Sequence, residues 1–589
     1  MLSLILGRSG SGKTEYVRNL LGEQAKQGND KLLLIVPEQF SYSSERALLE
    51  KYGSIDAQRI EVLSFSRLVD FVNRNVGGIN GVKLDDSDKV ILMTHALSGI
   101  QDSLEFYNLQ ADKTYFARDL IRLYSEFYKE RVSLDTLKSS LPMVQNATLK
   151  SKLTDLYLIF NEYTSLLELN GYTDDDLLVT KLIDTLHSNN VFAGYTICID
   201  AFKGFTGQEF EILSSVMRQA NDVIITLCYD EEPEMTFGAV SETLNRLISI
   251  AKENNIQSEK TVLKNNRSSS EALRFLEKNI FSSNKDIFDK KTQDVILFEA
   301  DTKYDECNFI AAKVRKYMRE DSIRLRDIAI ITRNEESYKN ELVSALNRFE
   351  VPVFEDTRQP IATQPLIVLC KSLLNILTHT KLSTKDILAY LKTGLSPLSE
   401  NEAAELENYV FTWNIKESDW EKDFTNNPGG IREEKDLEKL ASLNMSRQAI
   451  ITPILELKSV ADENCKVNSL DTCKAIYDFL IKTGVKSKLL DYAKFLESTG
   501  FEALATEQNR VWEILMDILS KLGTIQGTDT IPATMFGELF STVATDSLLD
   551  DHSNVLSVAS SGVIIVLHFV SNFYDYLMSW HCSFCFFSI

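Results

Sequence analysis

Eight residues near the start of the chain constrain its fold more than any other stretch. Gly7-Arg8-Ser9-Gly10-Ser11-Gly12-Lys13-Thr14 fits the phosphate-loop pattern G-x-x-x-x-G-K-[ST] at every fixed position. Its surroundings agree. Leu2-Ser3-Leu4-Ile5-Leu6 reads as a short apolar strand ending at the loop, and Glu15 to Ala25 as a helix with Tyr16, Leu20 and Leu21 on one face. Strand, loop and helix are the parts that phosphate binding needs. Glycines let backbone N–H groups turn inward around phosphate oxygens, and the helix N-terminus adds its partial positive charge. In that role Lys13 reaches the β and γ phosphates of ATP and Thr14 holds Mg²⁺. The competing structural reading is a glycine-rich strand–helix turn that carries Lys-Thr for no chemical purpose.

A second apolar run, Lys31-Leu32-Leu33-Leu34-Ile35-Val36, follows the helix and stops at Pro37. Its lack of alternation suits a parallel strand buried on both faces, so the chain opens as a β–α–β unit. Glu61-Val62-Leu63-Ser64-Phe65-Ser66-Arg67-Leu68 predicts a third strand running into a helix. From about Asp85 to Asn189 the pattern turns to helical period, as in Ala117 to Tyr128 and Leu149 to Leu169. Asp174-Asp175-Asp176 lies in this region and resembles a metal cluster. Thr173 before it and Leu177-Leu178-Val179 after it predict a capped helix start instead, where carboxylates complement the helix dipole.

Strands return at Tyr195-Thr196-Ile197-Cys198-Ile199-Asp200 and Val223-Ile224-Ile225-Thr226-Leu227. An apolar strand ending in Asp supplies the second half of a phosphate-loop site, since that carboxylate helps hold Mg²⁺. Residues 253 to 293 are polar and read as a linker. A second α/β unit then follows, with strands at Asp294–Phe298, Ile328–Thr332 and Val351–Val353 and helices at Tyr304–Arg319 and Ser337–Phe349. Helices dominate again from about Pro365 to Leu549.

Composition narrows the function classes. The formal net charge of −22 excludes a polybasic protein that holds nucleic acid by bulk charge, though not one with a local basic channel. Eight cysteines at irregular spacing do not make a disulfide scaffold. The first residues lack the basic start and long apolar run of a signal peptide, so a cytoplasmic location is expected.

The order of parts resembles superfamily-one helicases of the UvrD type, and more closely the AddB (RexB) family, the second subunit of bacterial ATP-dependent helicase/deoxyribonuclease. The residues behind this are Leu6 to Thr14; Ile35-Val36-Pro37-Glu38-Gln39-Phe40-Ser41 with Glu45; and Val62 to Leu68. Ile199-Asp200-Ala201-Phe202-Lys203-Gly204-Phe205-Thr206 with Glu209, and Ile328 to Arg333, complete the set. The resemblance spans residues 1 to about 553. It implies an α/β fold class, a P-loop NTPase (RecA-like) domain at 1–84 and 190–252 with a helical insertion at 85–189. After the linker at 253–293 comes a second, incomplete RecA-like domain at 294–364 with a second helical insertion at 365–553. It also implies a partner, the A subunit, which carries the motor. The heterodimer processes double-strand DNA ends for recombinational repair. In this family the AddB chain is thought to watch the passing strand for a recombination hotspot, and its C-terminal domain is a nuclease with an iron–sulfur cluster.

Departures from the motor pattern bear on activity. In working UvrD-like motors a Glu follows the Mg²⁺-holding Asp and orients the attacking water; Ala201 stands there in this chain. The segment after Asp230 has no Gly-Asp-x-x-Gln sensor, and only six residues precede the loop, too few for an adenine-reading Gln segment. The expectation is ATP and Mg²⁺ binding with little or no intrinsic hydrolysis and no catalytic residue of its own. Arg333 matches by position an arginine that approaches the γ-phosphate; a surface arginine at a strand end is the alternative. Residues 37 to 45 and 64 to 67 match segments that touch single-stranded DNA, which makes Phe40, Ser41, Ser64 and Phe65 candidates. Burial of both phenylalanines in the core is the alternative.

At about Val555 the composition breaks. Residues 555 to 589 hold one charged residue, Asp575, and are rich in Phe, Val, Ser and Cys. The preferred reading of residues 554–589 is an aberrant, foreign tail after truncation, with the family's nuclease domain missing and its iron–sulfur cluster not expected. A membrane anchor from Val563 to Ile589 and a metal site from His581, Cys582 and Cys585 are the rivals. Asp575 and His581 and the lack of flanking Lys or Arg weigh against the anchor, so no membrane partner is expected. For the whole chain the rival functions are a small-molecule, nucleoside-type kinase, which also uses a Gly-Ser-Gly-Lys-Thr loop, and a membrane-tethered nucleotide-binding protein.

Overall fold

In the computed structural model the phosphate-loop segment opens a parallel α/β sheet. The structure describes residues 1–78, 81–111, 113–230, 234–264, 270–280, 286–320, 323–332, 334–354, 359–430, 436–527, 530–546, 548–549 and 563–565. It divides into two compact units. One comprises Met1–Ile79, Leu178–Thr357 and Asp551–Ile589; the other comprises Asn80–Leu177 and Arg358–Asp550.

The first unit is built on six strands: β1 (Leu2–Gly7), β2 (Leu32–Ile35), β3 (Ile60–Leu63), β4 (Thr196–Ile199), β5 (Asp222–Cys228) and β6 (Ser258–Val262). They lie in the order β3-β2-β4-β5-β1-β6, and every neighbouring pair is parallel. The four residues of β2 and of β4 are buried throughout, as unalternating apolar runs require when helices cover both faces. On one face α1 (Lys13–Lys26) and α2 (Ser41–Ala57) bury Val17, Leu21 and Leu48 against Ile5, Leu34 and Val62. On the other, α3 (Phe65–Val76), α4 (Asp175–Ser188), α5 (Gly207–Gln219) and α6 (Glu234–Glu253) pack on Leu4, Leu33, Ile197 and Ile225. Each such Leu or Ile side chain contributes about 1.5–3 kcal/mol of burial.

Two expectations need correction here. The polar linker at 253–293 contains β6, which pairs with β1 in register from Leu2↔Ser258 to Leu6↔Val262. All five of its residues are exposed, so it sits at the sheet edge by backbone bonding and carries no apolar signal. Conversely, Asp294–Phe298 is not a strand. Among the described residues it has no pairing partner, Leu297 is 64% exposed, and Phe298 is anchored by stacking on Phe309 at 3.7 Å. Helix α7 (Glu271–Asn279) precedes that segment, and α8 (Lys303–Arg319) and α9 (Glu335–Arg348) follow it. A small parallel sheet is made by β7 (Ala329–Ile330), β8 (Val353–Phe354) and β9 (Val563–Ile565). The middle strand of this sheet is β9, drawn from the apolar stretch expected to be foreign. Val555, Asp575, His581, Cys582 and Cys585 lie outside the described residues. Among the described residues no helix is long and apolar enough to cross a membrane.

The second unit holds both helical regions. Helix Asp86–Ile100, early in the chain, packs with helix Glu502–Ile525, late in it. Lys521 Nζ is bonded to Asp85, lies 2.9 Å from Asp517 and 3.9 Å from Asp88, and buried Gln526 donates to the Ile91 carbonyl at 3.2 Å. The aspartate triplet is a helix start, with Asp174 itself as the cap: its Oδ1 accepts the Leu177 N–H at 2.8 Å. Asp175 pairs with Lys83 at 2.7 Å, and Asp176 accepts from Ser125.

Asp174 is 2% exposed. Burial pushes its carboxyl up to about 6 against the pull of the Leu177 amide, and Asp176 adds to the rise. The folded chain therefore holds this proton where the unfolded chain, with an ordinary value of 3.8, has lost it. The contribution of Asp174 to stability therefore falls as pH rises from about 4 to about 6 and is flat above that. Asp174→Asn keeps a capping side chain, so it should stabilise the fold at pH 7 by on the order of 1–2 kcal/mol, read as a higher thermal midpoint. It should also flatten that part of the profile, which calorimetry from pH 4 to 8 would check.

Candidate functional site

The loop between β1 and α1 is shaped by glycines at two positions where another residue would not fit. A Cβ on Gly7 would lie 2.5 Å from Ser11 Oγ and 2.8 Å from the Leu263 carbonyl oxygen, the residue just after β6. Gly12, the N-cap of α1, has φ 86° and ψ 17°, a left-handed conformation that disfavours a side chain. No side chain caps the helix there, so its first N–H groups are left to a ligand or water.

Lys13 is folded back over this loop. Its Nζ donates to the carbonyls of Gly7 at 2.7 Å and Arg8 at 2.8 Å, and to Ser11 Oγ at 3.4 Å. Burial pulls its ammonium below the ordinary lysine range, while Cys228, Asp200 and Glu277 act in the opposite direction. Thr14 and Ser9 are exposed, and Gly10 takes φ 81°.

Asp200 ends β4 and is 4% exposed. Strand β5 lies between β4 and β1, and its Thr226 donates to Asp200 Oδ1 at 2.5 Å. Thr226 is visible in the sequence as the one hydroxyl within an apolar strand, but its partner is not. Asp200 N–H donates to Ile35 O at 3.0 Å. The next residue, Ala201, has φ 69°, a left-handed conformation uncommon for a residue with a Cβ. A methyl group at this position has neither charge nor hydrogen-bonding capacity. The exposed Thr14 hydroxyl and the Asp200 carboxylate are both oxygen donors, the kind Mg²⁺ takes along with water and phosphate.

Arg8 is the other cation of the loop, and its surroundings are not legible in the sequence. Its Nε lies 3.3 Å from Asp230 Oδ2 and 3.5 Å from Glu277 Oε1, and its guanidinium stands 5.5 Å from the Phe237 ring centre. Arg333 lies outside the described residues.

The candidate DNA-contacting residues fall at the ends of β2 and β3. Phe65 is 8% exposed, with its ring edge-on to Phe202 at 5.3 Å and to Phe205 at 6.1 Å. Ser64 caps α3, accepting the Arg67 N–H at 3.3 Å, and its Oγ lies 2.7 Å from Ser66 Oγ, which donates to Glu38 at 2.7 Å. Ser41 is 2% exposed and its hydroxyl has no hydrogen-bond partner. Phe40 is half-buried against the α1–α2 core. Tyr42, one residue further on and 64% exposed, presents its side chain to solvent; no sequence signal distinguishes it.

Residues 4–277 match the family model described as ADDB, N-terminal. The chain is 30% identical over 556 residues to the second (B) subunit of the ATP-dependent helicase/deoxyribonuclease from Clostridium acetobutylicum, covering 91% of this chain and 48% of that relative. It is also 30% identical over 530 residues to the corresponding protein from Clostridium novyi (88% and 46%), and 30% over 561 residues to that from Clostridium kluyveri (91% and 48%). The chain thus spans about half the length of the curated relatives it matches.

The crowding at Gly7 makes a direct test of the loop. Gly7→Ala should destabilise the first unit by about 1–3 kcal/mol, because backbone as well as side chain must move. The expected outcome is a lower thermal midpoint with faster amide exchange across residues 8–14; unchanged exchange there would contradict the geometry.

Proposed function

Because the chain belongs to the AddB family, we propose that it is an ATP-binding, DNA-contacting, helicase-like subunit. On this reading it works beside a helicase/nuclease A subunit on double-strand DNA ends and does not itself turn ATP over at motor rates. Its first unit is read as a RecA-like domain, and the β7–β8–β9 region as part of a second. The observation that carries the loss of hydrolysis is Ala201, placed directly after the buried Asp200.

The binding half of the reading rests on the loop. Lys13 turns from the Gly7 and Arg8 carbonyls to the β and γ phosphates, exchanging neutral acceptors for anionic ones. The uncapped amides of α1 complete the cradle. When bound, Mg²⁺ neutralises the phosphate charge, and Thr14 and Asp200 are the residues that would hold it. Thr226 keeps the Asp200 carboxylate oriented. Water activation has no group to perform it, since the side chain after Asp200 ends at a methyl.

DNA contact is proposed through the segments after β2 and β3. With Phe65 used in packing, Ser64 in capping and the Ser41 hydroxyl buried, Tyr42 and the half-buried Phe40 are the groups of these segments proposed to meet a passing strand, their rings by stacking on bases. A nucleoside-kinase function has no specific observation in its favour.

Lys13→Ala should weaken binding of a fluorescent ATP analogue about a hundredfold or more, since it removes the buried ammonium facing the phosphates. The unaltered chain should bind the analogue yet hydrolyse ATP far below the roughly 1–10³ s⁻¹ usual for enzymes. Motor-like turnover by the purified chain without a partner would overturn the proposal.

A further inference from the structure

The helix α7 is thinly attached to its unit. Of its side chains Ala272 alone is buried. Ser270 caps it through the Leu273 N–H at 3.3 Å and bonds to Asp294; Glu271 pairs with Lys290, and the Phe275 ring meets Phe288 at 5.3 Å. These contacts are made to the chain that follows the helix. Its contact with the phosphate loop is made at the other end, through Arg8.

There the helix offers two acceptors. Glu277 Oε1 stands 3.5 Å from Arg8 Nε, and the Lys278 carbonyl accepts from Arg8 Nη1 at 3.4 Å. The carbonyl lies at a helix C-terminus, where the backbone dipoles favour a cation. Glu277 also acts electrostatically on the Lys13 ammonium, favouring its charged form. Residues 7–14 contain two cations, Arg8 and Lys13, and the same carboxylate addresses both. A guanidinium takes carboxylate and phosphate oxygens with the same donor fork.

We propose that Glu277 is a built-in anion that competes with the nucleotide's phosphates for Arg8, so that α7 docks on the loop and is released when a triphosphate binds. The inference rests on the nucleotide-binding reading and adds its regulation. Glu277 is tethered, so it acts at a high effective concentration and raises the amount of nucleotide needed to occupy the loop. The coupling is reciprocal: whatever holds α7 down weakens nucleotide binding, and nucleotide loosens α7 to the same extent. Asp230, 3.3 Å from the same Arg8 nitrogen, stays with Arg8 in both states, because it follows β5 and does not belong to the moving helix. Since α7 leads toward α8 and the small sheet, its release carries the state of the loop to the second α/β region.

The test uses the full chain, a fluorescent ATP analogue and Mg²⁺. Glu277→Gln should tighten binding about tenfold, with a smaller gain for ADP and none for adenosine. Glu350→Gln, which breaks a pair with Arg315 that involves no residue of α7 or of the loop, should leave affinity unchanged. In the unaltered protein, saturating nucleotide should speed amide exchange across residues 271–279. If the unaltered chain binds nucleotide and Glu277→Gln binds no better, or if nucleotide slows exchange in α7, the inference falls while the nucleotide reading stands. Binding by neither protein removes the nucleotide reading and the inference with it.

Discussion

An ammonium group held by two backbone carbonyls organises the amino-terminal site. Lys13 reaches the Gly7 and Arg8 carbonyls because the loop between them turns through left-handed glycines, and that turn exists because β1 ends in a crowded corner against Leu263 and Ser11. The loop also sets the direction of α1, whose uncapped first turn faces the same space. Buried apolar β5 on one side of β1 and the backbone pairing of β6 on the other hold this arrangement in place. The sheet supplies rigidity, the loop supplies charge and free amides, and neither is sufficient alone.

Ala201 and Asp200 are neighbours with contrasting chemistry. Asp200 is sealed behind Thr226 and the β2 backbone, a setting that fixes its carboxylate. Ala201 adopts a backbone conformation that most residues avoid, yet offers no side chain to act on water. The pair sets a buried, oriented carboxylate directly before a side chain with neither charge nor hydrogen-bonding capacity.

Much of this is readable from residues alone, for identifiable reasons. The phosphate loop, its flanking strand and helix, and the run ending in Asp200 carry dense local signals: fixed glycines, unbroken apolar stretches and a Lys-Thr pair. Edge strand β6 is not readable, because Ser258–Val262 is exposed and mostly polar and is held by backbone pairing and the Ser3–Glu259 side-chain bond. The segment Asp294–Phe298 misleads in the opposite direction. Its apolar residues look like a strand, but one ring stacks on Phe309 and no strand lies beside it. The surroundings of Arg8 escape notice because Asp230, Phe237 and Glu277 are far from it in sequence. Phe65 admits two readings from sequence, and its contacts with Phe202 and Phe205 place it in the packing.

The small sheet has a consequence for how the polypeptide assembles. Its outer strands, β7 and β8, come from neighbouring stretches, whereas the strand that joins them, β9, is about two hundred residues further along. Until β9 emerges, the facing edges of β7 and β8 carry unmatched backbone groups. Closing so long a loop is slow, and open strand edges invite pairing with other chains. During synthesis, this corner of the molecule is therefore where a chaperone is most needed and where misassembly is most readily seeded.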